Sequence, residues 1–190
     1  MTRDTVPVLL ADDSVERMTA GSGQVRALNF AALRQLPIDN GAGADKQETP
    51  LCIPTLEEAL DVCREYGMTP LLSVHTVRGQ DALRQTLERF AGRYVIVSSR
   101  KSVLEAWKAS GCARLYRTDA LTQRDVRYAR KTACGIVADG VRSVPALLRE
   151  AQREIPLWVE NIRSRSVLQT LSRYGVTHIV TDCILPMPKK

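Results

Sequence analysis

The chain has 190 residues, 44% of them apolar, with 27 basic against 21 acidic side chains and a net charge of +6. That balance supports one sizeable core, so a single domain over 1–190 is expected. No apolar run approaches the roughly eighteen residues a membrane span needs, and scattered basic residues with 5% aromatics argue against a nucleic-acid-binding surface.

Met1 leads directly into polar residues and a short strand rather than a signal peptide, so a cytoplasmic or virion-associated protein is expected. Phe30, Leu33 and Leu36 then suggest a short helix, and residues 39–50 (DNGAGADKQETP) read as an exposed polar loop. Thr55-Leu56-Glu57-Glu58 has the pattern of a capping box at a helix start, as does Ser102-Val103-Leu104-Glu105. From residue 70 onward one module repeats. Short apolar runs begin at Pro70, Tyr94, Ala113, Gly135, Pro156 and Thr177, about twenty-one residues apart, with helical patterns between them. Runs rich in Val, Ile and Leu without alternation fit a parallel sheet buried on both faces, built from βαβ units. Gly67, Gly92, Gly111 and Gly175 follow the helical patterns, where a left-handed cap is expected.

Three apolar stripes read as core: Leu83, Leu87 and Phe90; Leu104 and Trp107; Val167, Leu168 and Leu171. Arg124, Arg127, Arg130 and Lys131 fall on one helical stripe, read as a solvated outer face. The five cysteines (Cys52, Cys63, Cys112, Cys134 and Cys183) form no C-x-x-C pair. They read as small buried thiols rather than as disulfides or a zinc site.

Residues 2–23 (TRDTVPVLLADDSVERMTAGSG) resemble the pattern T-x-D-G-x-P-V-x-x-H-D-x-x-x-x-R-x-T-x-G-x-G of the glycerophosphodiester phosphodiesterase family. Ile53-Pro54-Thr55-Leu56-Glu57-Glu58-Ala59-Leu60 is similar to the family's I-P-T-L-E-E-x-L. Leu71 to His75 falls where the family has its L-x-I-E-x-K strand, and Val95 to Arg100 resembles V-x-x-x-S-F with arginine for phenylalanine. Glu160-Asn161-Ile162-Arg163 corresponds to the W-T-V-N segment, and residues 175–182 resemble the closing G-V-D-G-I-x-T-D. The resemblance implies an α/β fold: a parallel (β/α) TIM-barrel-like sheet. Because the family's H-R-G and E-x-D strands would lie before residue 1, an incomplete barrel lacking the first two strands is expected.

The resemblance also implies metal-dependent phosphodiester hydrolysis, in which histidines act as acid and base and a calcium or magnesium ion held by carboxylates binds the phosphate oxygens. Here the expected chemistry positions are changed. Ala11 replaces the histidine of the His-Asp pair, Ser73 the metal-binding glutamate and His75 the lysine, while Asp12 is kept. No intact catalytic set is therefore expected, and no cofactor unless the family activity is retained.

In a barrel the loops after the strands converge on one face, which makes Asp12, Asp13, His75, Ser99, Asp139, Glu160 and Asp182 candidates there, and Arg100 at a strand end could pair with phosphate. Asp12, His75, Arg100 and Glu160 are the ligand-binding candidates, and Asp12, Asp139 and Glu160 are the carboxylates from which a metal site would have to be rebuilt. Asp182 is read as structural, and His178, in an apolar strand, as a packed neutral imidazole.

The leading expectation is a non-catalytic family member serving as a binding or assembly module. One alternative is a metal-dependent phosphodiesterase completed by N-terminal strands or a partner chain. Another is a phage-tail or virion structural protein. Open sheet edges lead to an expectation of self-association, or of a partner chain completing the sheet.

Overall fold

The structure is a computed structural model and describes residues 1–39, 50–90 and 92–181. Residues 40–49 of the expected loop lie outside the described residues, as do Asp182 and Cys183. The chain divides into two compact units: Met1–Pro70 with Arg78–Gly92, and Leu71–Val77 with the chain from Arg93 onward.

The first unit is held by isolated antiparallel bridges, such as Val8 to Thr55 and Pro37 to Cys52, around buried Val15, Val25, Leu33 and Ile53. It contains helices α1 (Phe30–Arg34), α2 (Leu56–Glu65) and α3 (Gln80–Phe90). The capping box before α2 forms as expected: the Glu58 N–H donates to Thr55 Oγ1 at 3.1 Å, and the Thr55 N–H donates to the Glu58 carboxylate at 2.8 Å. Two orphan donors of the first turn are thereby satisfied. Thr5 stands where the family pattern has glycine, yet its φ is 63°. A β-branched residue in the left-handed region is strained.

The second unit contains six parallel strands in sequential order: β1 (Leu71–Ser73), β2 (Val95–Ser98), β3 (Ala113–Thr118), β4 (Gly135–Asp139), β5 (Leu157–Glu160) and β6 (His178–Val180). They curl into a half-barrel, the expected parallel α/β architecture. Among the described residues, four α-helices belong to this unit: α4 (Lys101–Ala106), α5 (Gln123–Thr132), α6 (Pro145–Ala151) and α7 (Arg165–Arg173).

Alternation along each strand gives the sheet two distinct faces. The helix-covered face buries Ile136, Ala138, Leu157 and Val159 against Val126, Ala129, Leu148, Leu168 and Leu171. On the inner face Val95, Val97, Leu115 and Val137 pack with Leu71 and Trp158. Gly135 is required by this close approach, since an added Cβ would lie 2.4 Å from Leu115 Cδ2 and 2.7 Å from the Pro156 carbonyl oxygen.

Three expectations are corrected. Ser102 lies inside α4, whose N-cap is Arg100 without a side-chain bond, so no second capping box forms there. The box lies instead at Thr122 and Asp125 before α5, where aspartate does the work expected of glutamate. Gly67, Gly111 and Gly175 are left-handed, with φ of 63°, 71° and 84°, but Gly92 is not among the positive-φ residues. Its built Cβ would meet the Phe90 ring at 2.4 Å, so crowding rather than handedness favours glycine there. His178 is not packed away: it is exposed at the start of β6, stacked on Trp158 with ring centroids 4.8 Å apart. Of the apolar stripes, Leu87, Phe90, Leu104, Trp107, Leu168 and Leu171 are buried as expected while Leu83 and Val167 are half-buried, and Arg124, Arg127, Arg130 and Lys131 are exposed on α5. Among the described residues, no helix is long and apolar enough to cross a membrane.

Candidate functional site

Strand periodicity decides which side chains meet. Ser73 shares the inner face with Leu71, Arg117 with Leu115, Asp139 with Val137 and Glu160 with Trp158, because each pair is two residues apart. The register sets Asp139 beside Glu160. One step toward the carboxyl ends, the apolar inner layer therefore gives way to a polar one.

Arg117 spans that layer. Its Nη2 donates to Glu160 Oε2 at 2.9 Å, and its Nη1 lies 3.4 Å from Ser73 Oγ. Ser73 Oγ is in turn 3.3 Å from His75 Nε2. The Glu160 side chain is 14% exposed and that of Arg117 34%, so the ion pair is half-buried. Arg117 Nε is buried and has no hydrogen-bond partner. A buried donor in that state demands an explanation, because leaving one unsatisfied costs about 1–3 kcal/mol.

Beside this pair, Asp139 is buried and fully engaged. It accepts from the Val141 N–H at 2.7 Å, the Arg142 N–H at 2.9 Å and the Asn161 side-chain amide at 2.7 Å. Burial pushes its carboxyl upward, but the hydrogen bonds from Arg142, Asn161 and Val141 outweigh that and hold it below the usual carboxylate range. Asn161 reaches Asp139 from a left-handed backbone, φ 63°.

The expected site residues are thus distributed unevenly. Ser73, His75 and Glu160 are brought together through Arg117, and Asp139 lies next to Glu160 in the register. Ser99 and Arg100 are exposed after β2, where the Arg100 N–H donates to Ser98 Oγ. Ala11, Asp12 and Asp13 belong to the other unit, in which Asp12 pairs with Arg17 at 2.6 Å. Arg117 itself escaped sequence reading. The available signal was a charged residue inside the run ARLYR, two positions after a core leucine.

The family's cation does not fit this donor set. Hard divalent ions need several anionic or carbonyl oxygens. The strand that the resemblance assigns a metal-binding glutamate offers a neutral hydroxyl, with a guanidinium against it. Asp139 already accepts from two N–H groups of its turn and from the Asn161 amide, Glu160 is taken by Arg117, and among the described residues no three His, Cys, Asp or Glu side chains gather as a metal site.

Comparison with known proteins bears on the fold and the ancestry. The model of the Glycerophosphoryl diester phosphodiesterase family matches residues 1–185. Glycerophosphodiester phosphodiesterase 1 of Bos taurus is 33% identical over 98 residues, which are 49% of this chain and 29% of that protein. The Homo sapiens counterpart is 32% identical over 98 residues, with the same coverage. The chain thus spans under a third of the length of these curated relatives. Among solved structures, an Oleispira antarctica phosphodiesterase in complex with the product sn-glycerol-3-phosphate superposes with a TM-score of 0.85 at 23% identity, covering 96% of this chain and 78% of that one. A glycerophosphodiester phosphodiesterase from Agrobacterium tumefaciens gives 0.75 at 15% identity, covering 95% and 80%.

Proposed function

Since this chain belongs to the glycerophosphoryl diester phosphodiesterase family, we propose that it serves as a non-catalytic binding module built on that fold. The observation that carries the reading is the Ser73–Arg117–Glu160 linkage at the strand ends. A hydrolase of this family needs a cation to offset charge on the phosphoryl oxygens and groups that move protons to and from the reacting oxygens. Ala11 has no proton to move, Ser73 brings no charge to a metal, and Glu160 is committed to an arginine. Loss of one general acid or base alone lowers a rate about a hundred- to ten-thousand-fold. The scaffold positions around these changes are kept, as the capping box at Thr55 illustrates.

The test is an activity assay on the whole chain with a glycerophosphodiester such as glycerophosphocholine. Release of sn-glycerol-3-phosphate, the product held by the Oleispira protein, is followed with added calcium, with magnesium and with chelator. The expected result is release at the background rate in all three conditions. Turnover well above background that chelator abolishes would establish the competing reading, a metal-dependent phosphodiesterase.

A further inference from the structure

Charge is divided unevenly between the two compact units. Residues 1–70 and 78–92 carry 9 basic and 13 acidic side chains, a net of −4, while residues 71–77 and 93–190 carry 18 and 8, a net of +10. Opposite signs on separate units of one chain favour contact between copies wherever both signs reach exposed surfaces. We infer that the chain self-associates head to tail, with helix α2 of one copy seated in a groove along α6 of the next. This goes beyond the non-catalytic reading and does not depend on it.

The groove, of about 580 Å³, lies wholly in the basic unit. Val144, Pro145 and Tyr174 give it apolar lining, and Val144 is 60% exposed. Arg149 lines it from α6, and Arg153 from the turn that follows, four positions on. Both are exposed, and neither makes an ion pair among the described residues. Glu150 is the carboxylate of the lining and accepts from the Gln123 amide at 3.4 Å.

Helix α2, in the acidic unit, carries the complement. Asp61 and Glu65 stand one turn apart, as do Val62 and Tyr66, so carboxylates and apolar side chains form two adjacent rows. Val62 is 47% exposed, Tyr66 68% and Met68, just beyond the helix, 50%. Tyrosine, methionine and arginine are the side chains in which protein interfaces are enriched. Glu65 is exposed and makes no ion pair among the described residues. Asp61 pairs with Arg64 at 2.7 Å, but both side chains are more than half exposed, so exchanging that partner costs little.

The two faces match in spacing as well as in sign. Carboxylates four positions apart on α2 face guanidiniums four positions apart along α6, each row advancing about 6 Å. Val62 and Tyr66 then meet Val144, Pro145 and Tyr174, and Arg64 is the counterpart of Glu150. Because different surfaces meet, the contact is heterologous, and copies add as an open chain or a closed ring.

Sedimentation velocity of the whole chain over a concentration series, at low and at high salt, tests this. Association is expected to grow with concentration at low salt and to weaken at high salt, which screens exposed charges. Arg149→Glu with Arg153→Glu, and separately Asp61→Lys with Glu65→Lys, are each expected to weaken self-association at least about tenfold. Tyr66→Ala, which leaves every charge in place, is expected to weaken it as well. All five residues are at least partly exposed, so each variant is expected to keep the wild-type melting transition. Mixing the two charge-reversed variants is expected to restore association, because each reversed face then meets the opposite sign. A wild type that stays monomeric at every concentration overturns the inference. So does association that any of these variants leaves intact, or that mixing fails to restore. A monomeric wild type that binds poly-glutamate would give the groove to an acidic partner of another kind, and equally overturns it.

Discussion

Two layers of one sheet face, a residue pair apart, follow different rules. In the deeper layer Val95, Val97, Leu115 and Val137 pack as any parallel sheet requires, and the register of six strands depends on them. At the strand ends Ser73, Arg117, Asp139 and Glu160 form hydrogen-bonded links that add little to the core. The first layer carries the strand pairing of the fold; the second carries a half-buried ion pair between Arg117 and Glu160. Packing and chemistry can diverge this way because strand-end side chains alter the site without altering which strands pair.

Substitutions in each layer should separate the two. Leu115→Ala, in the deep layer and 3% exposed, is expected to cost about 2–5 kcal/mol in chemical denaturation, since it removes buried atoms and leaves a cavity. Glu160→Ala should cost less, about 1–2 kcal/mol, because the stranded Arg117 side chain is 34% exposed and reaches water. A loss as large as that at Leu115 would mean that the strand-end layer is core after all.

Asp139 sharpens the comparison through pH. Its folded carboxyl lies below its unfolded value, so its contribution is fully present above the unfolded pKa of about 3.9 and is lost as pH falls through the folded pKa. Acid titration of stability should therefore be flatter in Asp139→Asn than in the wild type below about pH 4. Parallel acid limbs would show that this turn holds no depressed carboxyl. The smallest effect is at the helix starts: Thr122→Ala should cost about 1 kcal/mol and Ser102→Ala within about 0.5 kcal/mol, since only the first is a cap.

The uneven legibility of the molecule has the same origin. Strands and helices were readable because burial on both faces leaves apolar runs such as GIVAD and YVIVS, and because caps such as Thr55 with Glu58 are local. Ser102 misled because the same four-residue pattern occurs inside a helix as well as before one. His178 misled because an apolar strand at a sheet edge still exposes one end. Ala11, Ser73 and His75 read in the sequence as departures from the pattern that the resemblance supplies. Arg117 was not legible, because its partners Ser73 and Glu160 lie 44 and 43 positions away, and only the strand register brings them together.

The most direct test of the central claim is a calorimetric titration of calcium, and separately of magnesium, into the chelator-stripped chain. The account predicts no saturable site in the wild type, because Glu160 is held by Arg117 and Asp139 by two backbone N–H groups and the Asn161 amide. A stoichiometric site in the wild type that Glu160→Ala abolishes would contradict it.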